Sequence, residues 1–194
     1  INRNPSGPFT TSTLQQTASS KLGFGASRTM QIAQKLYQGI EIDGETIGLI
    51  TYMRTDGTNL SKDAVSAFRD YIKKEIGNEY LPESSLNYSG KKAKNAQEAH
   101  GAIRPTDVNK SPEAMKKYLS TDQNKLYNLI WSRALSSQMV SAKFDRNTIT
   151  VESNDKSTVC KSSGSVLKFD GFLKVYKSFN SDDDDEILPE VKKG

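Results

Sequence analysis

At 194 residues, 35% hydrophobic and 26% charged, the chain has the composition of an ordinary globular protein with room for one sizeable core or two small ones. No apolar run approaches the ~18 residues of a membrane span, and the lone Cys160 and lone His100 exclude an internal disulfide and the usual zinc spacings. Charge is uneven: six acidic residues against two lysines give −4 for residues 182–194, so the net +4 of the whole chain puts +8 on residues 1–181. A basic body favours polyanionic partners, although a modest positive charge also occurs in proteins that never touch nucleic acid. Cysteine usage fits a reducing cytoplasm. The opening INRNPSGPF shows no charged-then-apolar leader and starts abruptly, as a segment of a longer protein is expected to do.

Along the chain, Thr11 or Ser12 is expected to cap a helix carrying Leu14, Ala18 and Leu22 and stopped by Gly23 and Gly25. Ser27 then caps a second helix with a stripe of Met30, Ala33, Gln34 and Tyr37, ending near Gly39; joined by Gly-Phe-Gly, the two form a candidate helix-turn-helix. Ile47, Leu49 and Ile50 lead into an extended Thr51–Arg54, closed by a turn over Thr55–Asn59. Ser61 caps an amphipathic helix with Val65, Phe68, Ile72 and Ile76 on its apolar face, ended by Gly77. Residues 82–111 read as a long polar and basic loop, and residues 122–139 as a helix striped by Leu126, Leu129, Ile130, Ala134 and Leu135. From 142 onward four short strands are expected, at Thr148–Val151, Thr158–Cys160, Val166–Phe169 and Phe172–Tyr176, with a domain boundary near 141. The fold class is α+β.

The chemistry concentrates in Thr51-Tyr52-Met53-Arg54-Thr55-Asp56. In an extended segment Tyr52 and Arg54 share a face, about 7 Å apart, while Thr51 and Met53 face the other way. A phenol is a weak nucleophile at neutral pH and gains from a neighbouring guanidinium, which also holds a phosphate bidentately and offsets charge on phosphoryl oxygens during in-line attack. Thr55 and Thr58 add hydroxyl donors, and Asp56 is placed to anchor Arg54 or the turn. Taken alone, Tyr-x-Arg also fits a tyrosine packed on a sheet beside a snorkelling arginine. His100 is a candidate phosphate donor or proton shuttle, and Arg104 with Lys91, Lys92 and Lys94 are candidate contacts to backbone phosphates; the plain alternatives are a structural histidine and a solvated lysine loop. Arg28, in the first turn of the second helix, joins the candidate DNA-binding set. Cys160, in an apparent strand with no histidine nearby, reads as structural.

Four ordered blocks bring these segments together: Pro8-Phe9-Thr10-Thr11-Ser12-Thr13-Leu14-Gln15-Gln16, Leu22-Gly23-Phe24-Gly25, Ile50-Thr51-Tyr52-Met53-Arg54-Thr55-Asp56, and Gln97-Glu98-Ala99-His100 with Ala102-Ile103-Arg104-Pro105-Thr106. On these the chain resembles the type IA DNA topoisomerases over residues 8–194, and its Ile103-Arg104-Pro105 is similar to the bacterial topoisomerase I branch. The resemblance implies that Tyr52 matches the nucleophile forming a 5′-phosphotyrosine bond, Arg54 the phosphate-stabilising arginine, and His100 the motif histidine. It further implies ATP-independent cleavage, passage and resealing of single strands that relaxes negative supercoils. Single-stranded and negatively supercoiled duplex DNA are the expected partners, at the nucleoid. Magnesium is implied for the intact enzyme, bound by an acidic Toprim domain that has no counterpart in these residues, so this segment alone is expected to be inactive.

The implied architecture is a largely helical, helix-turn-helix-like (CAP-like) tyrosine domain over 1–140, followed by part of a β-rich arch over 141–194. Two positions depart from the family pattern: Gly57 replaces the usual serine and Gly101 the usual glutamate, and both are expected to loosen their loops. The competing readings are a non-catalytic single-stranded nucleic-acid-binding module, and an interaction domain whose basic surface is incidental.

Overall fold

The computed structural model describes residues 1–88 and 101–176. Its elements run β1 (Asn2–Arg3), α1 (Thr11–Leu22), α2 (Ala26–Gln38), β2 (Ile40–Ile42), β3 (Glu45–Ile47), α3 (Lys62–Tyr71), α4 (Pro112–Met115), α5 (Thr121–Ser136), β4 (Ala142–Glu152), β5 (Val159–Phe169) and α6 (Leu173–Tyr176). A π turn over Ile72–Ile76 and a 3-10 turn over Asn78–Tyr80 extend α3. Helices and antiparallel sheets coexist, so the α+β class holds.

Helix α5 is the centre of the core. Leu126, Tyr127, Leu129, Ile130, Trp131, Ala134 and Leu135 are all buried, which is more than one face of a helix can hold, so α5 is enclosed on several sides. Helices α1, α2, α4 and α6 all pack on it. Its start is set by a capping box: the Ser120 hydroxyl accepts from Gln123 N–H, and the Gln123 side chain accepts from Ser120 N–H. The core is continuous across residue 141, taking in Ala142, Phe144, Phe172, Leu173 and Tyr176.

Several local expectations change. Helix α1 is capped by Thr10, not Thr11 or Ser12, because only Thr10 finds a reciprocating partner three residues on, in Thr13. Helix α2 starts after Gly25 without a side-chain cap, so Ser27 is not its cap. Its buried face is Thr29, Ile32, Ala33 and Leu36, which turns Tyr37 outward. The β-structure before Tyr52 lies earlier than expected, in the β2–β3 hairpin, whose Asp43-Gly44 turn has both residues at positive φ (51° and 89°), as a twisted two-residue hairpin requires.

The four short strands beyond 142 resolve into one long antiparallel hairpin. Ser163 and Gly164, between two of the expected strands, pair inside the ladder with Thr148 and Asn147. Phe172–Tyr176 is not a strand. Phe172, Leu173 and Tyr176 are buried at helical spacing against α5, and Arg133 of α5 lies with its guanidinium 5.4 Å from the Tyr176 ring and 4.9 Å from that of Phe9.

The strap over residues 83–88 is pinned to this frame. Gln138, fully buried, accepts from Leu86 N–H at 3.2 Å and donates to Leu86 C=O at 2.9 Å. The Tyr88 hydroxyl lies 3.0 Å from Ser137 C=O and 3.1 Å from Pro5 C=O, and burial pushes its pKa up to about 12. A folded-state pKa above that of the unfolded chain means full stabilisation below ~10, lost as pH rises through the folded value. Urea denaturation between pH 9 and 12 is therefore expected to show stability falling above pH ~10, with a shallower fall in Tyr88→Phe.

Candidate active site

Three segments far apart in sequence converge on Tyr52. Phe9 bridges Ile103, whose N–H donates to Phe9 C=O at 2.9 Å, and Ile50 bridges Pro105. Thr51 N–H donates to Arg104 C=O at 2.9 Å, and the Thr51 hydroxyl donates to Ala102 C=O at 2.9 Å while accepting from Arg104 N–H at 3.1 Å. Thr106 closes the same seam, with its N–H to Leu49 C=O at 3.0 Å and its hydroxyl to Gly48 C=O at 2.7 Å.

From the other side, the first turn of α1 holds residues 53–55. Thr11 N–H donates to Thr55 C=O at 2.9 Å. The Thr11 hydroxyl accepts from Thr55 N–H at 2.8 Å and sits 2.7 Å from Met53 C=O and 3.1 Å from Thr55 C=O, so its single proton serves those two acceptors. Residues 51–54 form no regular strand, contrary to the extended segment expected. Threonine hydroxyls and single bridges satisfy the backbone that a ladder would otherwise pair.

The side chains nonetheless divide as the alternation predicts at its C-terminal end. Met53 is fully buried, Tyr52 is half-buried and Arg54 is exposed. The Tyr52 ring meets that of Tyr37 edge-on, with centroids 5.4 Å apart and planes at 67°. Thr55 organises the following turn, its hydroxyl accepting from Gly57 N–H at 3.0 Å, while Asp56 is exposed. Arg104 is half-buried beside Thr51, donates to Pro105 C=O at 3.1 Å, and has its pKa lowered by burial.

Arg28 is not part of this cluster. It pairs with Asp122 and lies over the Phe24 ring at 4.7 Å, in the first turn of α2, nine residues and about 14 Å of helix axis from Tyr37. His100, Lys91, Lys92 and Lys94 lie outside the described residues. Tyr37, expected in the apolar stripe of α2, instead lies against the Tyr52 ring. Its outward position follows from the Ile32–Leu36 stripe that fixes the buried face of α2.

Gly101 does not read as a loosening residue. A Cβ there would lie 2.9 Å from Asn59 C=O, next to the 2.9 Å bond from Ala102 N–H to that same oxygen, so its missing side chain lets two backbones meet. Gly57 is buried, with its N–H satisfied. Among the described residues no group of three or more His, Cys, Asp or Glu side chains is placed to hold a metal ion, and no helix is long and apolar enough to cross a membrane.

A family model described as DNA topoisomerase matches residues 1–194, and the chain belongs to that family. DNA topoisomerase 1 of Rickettsia prowazekii is 50% identical over 193 residues, covering 98% of this chain and 25% of the relative. DNA topoisomerase 1 of Escherichia coli is 49% identical over 184 residues, covering 95% and 20%. Full-length topoisomerase I from Thermotoga maritima superposes with a TM-score of 0.79 at 42% identity, over 91% of this chain and 28% of that one. The chain thus spans about a quarter of the length of these relatives.

The Thr11 clamp is testable without activity. Thr11→Val keeps the shape but leaves Thr55 N–H and Met53 C=O short of a partner, which is expected to cost about 1–3 kcal/mol in urea denaturation, while Thr11→Ser costs less than half as much. Equal stability of Thr11→Val and the parent would remove the clamp from the account.

Proposed function

We propose that this chain is the nucleophile-bearing part of a bacterial type IA topoisomerase that relaxes negatively supercoiled DNA without ATP. The phenol oxygen of Tyr52 attacks a phosphodiester of one strand. The Oη–P bond forms as the P–O3′ bond breaks, the phenol loses its proton, and the departing 3′ oxygen is protonated. The 5′-phosphotyrosine keeps the energy of the broken ester, so attack by the 3′ hydroxyl after strand passage reseals the backbone with no nucleotide cofactor.

The observation that carries this reading is the weave around Tyr52. Three of the four ordered blocks meet there, and they leave the phenol half-buried and Arg54 exposed beside it. In this reading Arg54 neutralises charge growing on the phosphoryl oxygens. Thr55, Asp56 and Arg104 shape the phosphate path, Lys91, Lys92, Lys94 and Arg28 contact backbone further away, and His100 donates to the phosphate or passes the proton to the leaving oxygen.

Residues 1–140 are taken as the tyrosine domain, with a CAP-like helix-turn-helix in α1 and α2, and 141–194 as part of a β-rich arch, to which the β4–β5 hairpin is suited. In this reading magnesium is bound by a Toprim domain elsewhere in the full-length protein, a cytoplasmic, nucleoid-associated enzyme. This segment alone binds single strands but neither cleaves nor relaxes DNA. Binding weakens as salt rises, because neutralised phosphates release counterions.

In the full-length protein, Tyr52→Phe is expected to abolish covalent capture of a single-stranded oligonucleotide while leaving its affinity within about twofold, since one oxygen is removed. Arg54→Lys loses the bidentate fork and slows cleavage by about 10- to 100-fold. Covalent product from Tyr52→Phe, or an unchanged rate in Arg54→Lys, sinks the corresponding assignment.

A further inference from the structure

We infer that Tyr37 is a positioning residue for Tyr52: its ring, edge-on to the phenol, holds the nucleophile in the orientation from which it attacks. The inference rests on the reading of Tyr52 as the nucleophile.

Tyr37 is placed oddly for a packing residue. The buried face of α2 is Thr29, Ile32, Ala33 and Leu36, and Tyr37 stands outside it, 40% exposed. The other large apolar side chains as exposed among the described residues are Ile1 at the N-terminus and Val151, Val159 and Leu167 on the β4–β5 hairpin. Only Tyr37 touches the candidate site. Its ring meets Tyr52 with centroids 5.4 Å apart and planes at 67°, the edge-to-face range in which the positive rim of one ring meets the negative face of the other.

That contact is set by rigid backbone. Leu49 N–H donates to Leu36 C=O at 2.8 Å, tying the last turn of α2 to the segment that enters Tyr52. Gly48 permits the approach: a Cβ there would sit 2.6 Å from Tyr37 C=O. The β2–β3 hairpin spans the gap between Gln38 and Gly48, and Thr106 fixes Gly48 and Leu49 from the opposite side. Both rings are therefore carried on backbone bonded to each other, and what the backbone leaves open at Tyr52 is rotation about its own χ angles. A ring lying against it restricts that rotation, and orientation of a nucleophile is worth orders of magnitude in rate when it is lost.

Because Tyr37 is partly exposed and its helix is anchored by Ile32 and Leu36, its replacement leaves the fold in place. The test compares Tyr37→Leu and Tyr37→Phe in the full-length magnesium-loaded enzyme. Single-turnover cleavage of a saturating single-stranded oligonucleotide is measured, with affinity taken in the Tyr52→Phe background and thermal stability recorded alongside. Tyr37→Leu is expected to lower the saturated cleavage rate about tenfold with affinity changed less than about twofold, and Tyr37→Phe, which keeps the aromatic ring, to restore it. A parental rate in Tyr37→Leu overturns the inference, as does a loss confined to affinity or equal impairment in the two variants. Covalent product from Tyr52→Phe alone would instead overturn the nucleophile assignment, so the two failures are told apart.

Discussion

Everything at this site depends on how an irregular stretch of backbone, residues 48–55, is satisfied without a strand partner running its full length. Buried amides and carbonyls left unbonded cost on the order of 1–3 kcal/mol each, and a regular ladder would remove that cost while flattening the chain. Here threonines substitute for the ladder. Thr51 and Thr106 tie the segment to residues 102–106, and Thr11 ties its other end to the first turn of α1. The chain is free to bend at Met53 and Arg54, burying the methionine and exposing the arginine within two residues, with Tyr52 half-buried just before them.

The supports are themselves anchored in the core, which couples stability to site geometry. Phe9 is buried, bridges Ile103 and lies under the guanidinium of Arg133 on α5. Helix α2 is packed on α5 through the stripe that turns Tyr37 outward, and its last turn is bonded to Leu49. The central helix thus carries both the seam behind Tyr52 and the aromatic ring beside it. Gly48 and Gly101 mark two places where the seam needs backbones closer than a side chain would allow.

Much of the scaffold was legible in the sequence because local rules wrote it. Ser61 as a cap, Gly23 as a stop, and the Leu126–Leu135 stripe follow from capping and 3.6-residue spacing. Other features carried a signal that was misread. Asp43-Gly44 between Ile-Glu-Ile and Glu-Thr-Ile is a hairpin signature, and Phe172, Leu173 and Tyr176 have helical rather than alternating spacing. Ser163-Gly164 looks like a turn by composition, and only its pairing with the opposite strand makes it extended.

The site was legible as a set of motifs but not as a geometry. Nothing local in Thr51 announces a hydroxyl bond to Ala102, 51 residues away, and nothing in Tyr37 announces its contact with Tyr52. The exposed pairing of Arg28 with Asp122 on α5 was likewise invisible in the sequence, since 94 residues separate the two.

The proposed role of Tyr52 is to form the covalent bond to DNA. Trapping the full-length protein on a radiolabelled single-stranded oligonucleotide, digesting the adduct and sequencing the DNA-linked peptide tests it directly. A modified peptide spanning Thr51–Arg54 with the nucleotide on Tyr52 is expected; a DNA-linked peptide from any other part of the polypeptide would contradict that assignment.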